Sequence, residues 1–227
     1  MSQRDVAFIF AAALLLAMAT VVLLLMRQQD RLVGQRDSAY RSYCTSRGYQ
    51  YVPSRPGAEK PYINLLGFFN QGSNRSWGFE VSGVINGRPF TAFEYTMAMG
   101  SRYRKTFAHA LMKWELDGAA MPDFLVVPAD QVTSGPPGRS DRVEFPDDQL
   151  FTFGFAVIAS NADPVREFLS PTRRQRLRPH LIADPEQYIR GSSSTLFWYR
   201  DTYLPPPEQL DQFIGAGESV RAALLDD

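Results

Sequence analysis

The chain has 227 residues, 44% of them hydrophobic and 13% aromatic, and its 24 basic and 24 acidic side chains leave a formal net charge of zero. That composition argues against global disorder, and the missing net charge removes any whole-molecule field that would draw in nucleic acid. The single cysteine, Cys44, excludes an intramolecular disulfide and fits a reducing compartment.

Val6 to Met26 is apolar throughout, with Thr20 as one weak exception. As a helix this run rises roughly 30 Å, the thickness of a bilayer core, and a helix satisfies its own backbone as lipid requires. The expectation is a transmembrane anchor, with residues 1–31 as anchor and basic flank and residues 6–26 in contact with the lipid bilayer. A cleaved signal peptide is the alternative, because Ala17-Met18-Ala19 fits a small-x-small cleavage site. The run, however, stays apolar well past that point. Only Arg4 precedes it, whereas Arg27, Arg31, Arg36 and Arg41 follow it. Basic flanks resist translocation, so residues 27–227 are expected on the cytoplasmic side. An exported domain is the competing topology.

Arg27 to Arg47 reads as a continuation of the helix, with residues 32–48 as its juxtamembrane part; Gly34 is a candidate break, after which Asp37 or Ser38 could cap a second segment, and Gly48 is a C-terminal glycine. The soluble domain is expected over 49–227. Tyr49 to Val52 alternates like a strand, 53–62 is a loop rich in proline, and Ile63 to Phe69 is a short apolar run of either type. Trp77 to Tyr95 alternates on both sides of Asn86-Gly87, a dipeptide that tolerates the positive φ angles of a type I′ turn. A β-hairpin is predicted there. Thr106 to Leu116 is a third strand, with Phe107, His109 and Leu111 on one side and Ala108, Ala110, Met112 and Trp114 on the other.

Further strands are predicted at Phe124 to Val127, Val143 to Phe145 and Leu150 to Ile158, with a surface loop at 133–142. Asn161-Ala162-Asp163-Pro164 opens a helix through Leu169, and Thr172 to Leu181 forms another. Tyr188-Ile189-Arg190 and Thr195 to Tyr199 flank a glycine-serine turn. After Pro205-Pro206-Pro207, Glu208 to Leu225 is a last helix, with Leu210, Phe213, Ile214, Val220 and Leu224 on one face. Consecutive strands followed by late helices predict an α+β domain on a mostly antiparallel sheet.

Recognisable chemistry is sparse. His109 and His180 lie far apart, and Cys44 has no second cysteine to share a metal, so neither a metal site nor a cofactor is expected. No zinc-protease helix, nucleophile elbow or phosphate loop occurs. Glu80 and Glu94 resemble an acid/base pair. With a two-residue Asn86-Gly87 loop, though, Glu80 faces Phe93 and the two carboxylates point to opposite faces of the sheet. Asp147-Asp148 reads as an acidic turn. Arg173, Arg174, Arg176 and Arg178 crowd one short helix, and they are the candidate lipid- or partner-binding residues. The competing reading is a solvated face neutralised by the acidic stretch after residue 200.

The plan resembles bacterial membrane proteins that carry one or two N-terminal spans and a soluble domain of unknown function. The residues that carry the likeness are Arg47 to Tyr51, then Gly83 with Gly87 to Tyr95, then Met121 to Pro128, and Phe155 to Val157 through Asp163 and Leu169. The resemblance implies one domain after one anchor in a bacterial inner membrane and supplies no catalytic residues. The expected function is a non-enzymatic, single-pass anchored domain acting through protein partners, a second copy of itself or lipid contact, without nucleic acid. The alternative is an enzyme of unrecognised type with a groove between sheet and helices that gathers Glu80, Asp147 or His109.

Overall fold

The computed structural model describes residues 3–54, 73–99, 105–116, 118, 121–130 and 142–226, and their side chains except at 3–13, 73, 74 and 99. The expected features at 55–62 and Ile63 to Phe69, and nearly all of the loop expected at 133–142, lie outside the described residues. Two compact units divide the chain, Met1–Tyr43 and Cys44–Asp227.

The first unit is helical. Helix α1 runs from Gln3 to Arg47 as one element, so the helix continues through residues 27–47 as expected and the candidate break at Gly34 does not occur. Glycine costs a helix about 1 kcal/mol relative to alanine, which the long flanking turns absorb. Thr20 returns its hydroxyl to the Leu16 carbonyl at 2.8 Å. Leu14, Leu16 and Leu25 are 55, 72 and 59% exposed, so the helix presents apolar side chains to its surroundings on several faces. Among the described residues no helix is long and apolar enough to cross a membrane.

The second unit is an α+β domain on a nine-stranded sheet, in which every pairing is antiparallel. Gly48 ends α1 with φ +71° while the Tyr49 N–H reaches back to the Cys44 carbonyl at 2.8 Å, the left-handed glycine cap expected from the sequence. Strand β1 (Gln50–Val52) follows. The hairpin forms as predicted, although its strands are longer: β2 is Ser73–Ile85 and β3 is Arg88–Met99. Asn86 and Gly87 have φ of 52° and 76°, Ile85 pairs with Arg88 and Glu80 pairs with Phe93.

Strand β4 (Lys105–Glu115) completes this meander, and β5 is Met121–Pro128. Strand β6 is only Arg142–Val143. The strand expected over Leu150 to Ile158 is corrected: Gln149–Gly154 forms helix α2, and only Phe155–Ile158 forms strand β7. The reason is a cap, since the Asp148 carboxylate accepts the Phe151 N–H at 3.1 Å and starts a helical turn. Helix α3 is Ala162–Phe168, and α4 is Pro171–Ala183, capped by Ser170. Strands β8 (Gln187–Ser193) and β9 (Thr195–Arg200) form a hairpin tighter than expected, since Ser192 already pairs with Thr195. Helix α5 is Pro207–Leu225.

The strand order is β1-β2-β3-β4-β9-β8-β5-β7-β6, so β4 and β9 join two halves of the sheet. Paired residues point to one face, and the register therefore assigns every side chain. Met112 and Trp198, Trp114 and Leu196, and Val126 and Ile189 share the face that the later helices cover. Trp198 contacts Phe213 of α5 with 4.9 Å between ring centroids, and Phe124 contacts Phe168 of α3 at 5.4 Å. The opposite face gathers a buried aromatic cluster that includes Trp77, Phe93, Tyr95, Phe197 and Tyr199. Gln187 ties α4 to the sheet. Its amide nitrogen donates to the His180 and Asp184 carbonyls at 2.6 and 2.8 Å, and its oxygen accepts from the Trp198 indole.

Two glycines in α5 differ in purpose. A Cβ at Gly217 would lie 2.5 Å from Met112 Sδ and 2.8 Å from Trp198 Cε3, whereas a Cβ at Gly215 would meet nothing within 4 Å. Gly217→Ala is therefore expected to destabilise the domain by about 1–3 kcal/mol through overpacking, despite alanine's better helix propensity. Gly215→Ala is expected to stabilise it by up to about 1 kcal/mol. Urea unfolding of both variants checks the opposite signs.

Candidate functional site

The four arginines of α4 do not form one free basic face. Arg174 is buried at 2% exposure. Its guanidinium bonds Asp147, Asp148 at 3.3 Å and the Leu169 carbonyl at 2.8 Å, and stacks 4.5 Å above the Phe145 ring. Arg178 reaches Asp148 at 2.6 Å. Arg176 donates to the backbone oxygen of Asp226. Arg173 donates to the Phe168 carbonyl at 2.9 Å and lies 4.7 Å above the Phe168 ring. Arg174 and Arg178 are thus spent on carboxylates, while among the described residues Arg173 and Arg176 hydrogen-bond only backbone oxygens. Helical spacing placed these residues close together, but it carried no information on carboxylates that lie 26 to 30 positions away.

The lock around Asp148 is structural. Burial pushes its carboxyl upward, but the Phe151 N–H and the guanidinium groups of Arg178 and Arg174 more than offset this and hold it below its ordinary value of 3.8. Breaking a largely buried pair leaves a guanidinium uncompensated. Asp148→Asn is expected to destabilise the domain by about 2–4 kcal/mol, against about 0.5 kcal/mol or less for Asp163→Asn in an exposed pair with Arg166. A depressed folded value means that the stabilisation is present above 3.8 and is lost as the pH falls below it. The wild type should therefore lose stability more steeply than Asp148→Asn below about pH 4, which denaturant titrations across that range will read.

The enzyme reading expected a groove that gathers polar groups such as Glu80, Asp147 or His109, and these three do not come together. Asp147 is bound to α4 on the helix side. Glu80 lies on the other face, one rung along from His109, since the rungs there are Glu80–Phe93–Leu111 and Trp77–Tyr95–His109. Glu94 points to the helix side and accepts the Leu204 N–H at 3.1 Å. His109 instead joins a cluster that the sequence concealed. Its Nδ1 is 2.7 Å from Asp201 Oδ1, and Tyr188 donates its hydroxyl to Asp201 Oδ2 at 2.8 Å. Tyr188 stacks on Tyr199 at 4.7 Å, and burial pushes the Tyr199 phenol far up, so it stays protonated. Asp201 lies 92 residues from His109, so only the β4–β9 register could have revealed this grouping.

Described residues of the second unit line at least two cavities. One, of about 520 Å³, opens where the β2–β3 turn, the end of β4, α3, α4 and α5 meet, and its lining includes Arg88, Arg173, Arg221, Trp114, Phe168 and Leu225. Arg221 is 2% exposed. It donates to both Glu218 oxygens at 2.8 and 2.9 Å and to Asp226 at 3.1 Å. Burial disfavours its charge, but these bonds outweigh that and raise its pKa. Arg88 reaches Asp226 from the hairpin turn at 2.9 Å. The second cavity, of about 620 Å³, borders Leu150, Phe153 and Ile182, apolar residues that are 72, 79 and 66% exposed. Among the described residues, no three His, Cys, Asp or Glu side chains are grouped to hold a metal ion.

No protein-family profile, curated protein or solved structure matches the chain.

Proposed function

We propose that this chain is a single-pass membrane protein of a bacterial inner membrane. In this reading the second unit, Cys44–Asp227, faces the cytoplasm and acts by binding partners rather than by covalent chemistry. The observation that carries it is the apolar run Val6 to Met26 inside one unbroken helix. The part with described side chains, Leu14 to Met26, rises about 20 Å, short of a bilayer core; with Val6 to Ala13 the run reaches about 30 Å. Arg27, Arg31, Arg36 and Arg41 after the run support the inward orientation. The exposed Leu150, Phe153 and Ile182 support contact with a protein partner, because a grouped apolar surface of this kind is costly to leave in water.

The full chain is expected to stay with the membrane pellet through alkaline carbonate, and a chain lacking residues 1–26 is expected to leave it. A fluorescent reporter fused after Asp227 should mature, while an alkaline phosphatase fused there should stay silent. Release of the full chain by carbonate would overturn the anchor. Phosphatase activity without fluorescence would overturn the orientation.

A further inference from the structure

The cavity beside Trp114 combines two features that a purely structural cluster does not need. The first is a guanidinium-rich lining. Arg88, Arg173 and Arg221 line it, and Arg176 bonds Asp226 nearby. The facing carboxylates are Glu218 and Asp226, which hold Arg221, and Glu115, which is 2.7 Å from Lys113. Asp226 is further shared with Arg88. Among the described residues, the cations at or beside the cavity are Arg88, Lys113, Arg173, Arg176 and Arg221, and the carboxylates paired with them are Glu115, Glu218 and Asp226. Among the described residues Arg173 has no carboxylate partner, and its guanidinium carbon lies 4.7 Å from the centroid of the Phe168 ring at the cavity wall.

The second feature is the rest of the lining. Trp114, Leu116, Phe168 and Leu225 are apolar or aromatic. Trp114 is 1% exposed, and among the described residues its buried Nε1–H has no acceptor. A buried indole N–H ordinarily finds an acceptor, and leaving it without one is costly. An oxyanion supplies acceptors for the guanidinium forks, whose planar geometry suits phosphate and carboxylate groups. At about 520 Å³ the cavity falls in the size range of small-ligand sites.

We infer that this cavity binds an amphipathic oxyanion, a phosphate group carried on an apolar body, with Arg173 and Arg88 holding the oxyanion and Trp114, Phe168 and Leu225 receiving the apolar part. Two sources carry that chemistry, an anionic lipid and a soluble phosphate ester. The inference does not depend on whether α1 spans a bilayer.

The test is calorimetry on the full chain in a non-ionic detergent, with hexyl phosphate, inorganic phosphate and hexanol as probes. Hexyl phosphate is expected to bind saturably, at least tenfold tighter than inorganic phosphate, while hexanol gives no saturable heat. Arg173→Gln is expected to weaken hexyl phosphate about tenfold or more, the usual loss for one charge-assisted hydrogen bond. Arg88→Gln should act in the same direction, and Arg166→Gln, outside the cavity, should change nothing. Circular dichroism on each variant separates lost binding from lost folding.

Failure of hexyl phosphate to bind would overturn the inference, as would binding that neither Arg173→Gln nor Arg88→Gln weakens in folded protein. Inorganic phosphate binding as tightly as hexyl phosphate would overturn the apolar half. With binding established, nanodiscs containing phosphatidylglycerol distinguish the sources: they should compete with hexyl phosphate if the ligand is a lipid, and leave it undisturbed if it is a soluble ester.

Discussion

The pairing of β4 with β9 is the constraint on which the rest of the domain depends. Six rungs, from Ala110 against Arg200 to Glu115 against Thr195, join strands separated by some 80 residues of chain. The bond from the Leu116 N–H to the Ser194 carbonyl, at 2.7 Å, extends the seam by one more step. Closing so long a loop is less costly than its length suggests, because the entropy grows only as its logarithm. What holds it closed is the packing that the rungs create on both faces. Met112 meets Trp198 and Trp114 meets Leu196 on the helix side, while Leu111 meets Tyr199 on the other. Helix α5 then lies along this seam, close enough that only glycine fits at position 217.

The charged groups follow from this arrangement rather than causing it. The short elements after β5 make few sheet bonds of their own: β6 has two residues and α2 has six. Arg174 holds α4 to the turn before α2, and Arg221 with Arg88 holds the end of α5 to the β2–β3 turn. Buried ion pairs of this kind add little net stability over apolar substitutes, but losing one partner is expensive. They therefore fix where the helices sit. Because Arg88 comes from one half of the sheet and Arg173 and Arg221 from helices that follow the other, the cavity exists only when the β4–β9 seam is made.

How much of this could be read in the sequence depended on how local the cause was. The Asn86-Gly87 hairpin, the Gly48 cap and the apolar face of α5 were legible, because each rests on neighbours in the chain. The opposed faces of Glu80 and Glu94 followed from the turn type alone. Helix α2 was misread because Leu150 to Ile158 has strand-like composition, while the Asp148 cap that overrides it is a single hydrogen bond. The continuation of α1 past Gly34 was legible too, since one glycine does not break a long helix. The fate of the α4 arginines, the His109–Asp201–Tyr188 cluster and the cavity were not legible. Each joins residues brought together by strand register, and no local pattern encodes which strand lies beside β4.

The most direct measurement of that seam is native-state hydrogen exchange on the full chain with increasing denaturant. If β4–β9 pairing unites the two halves, the slowest amides of β3 and of β8 should share one opening free energy and merge into one global unfolding isotherm. Separate isotherms, with β5–β8 protected while β2–β3 exchanges freely, would contradict the account and make the two halves independent units that merely abut.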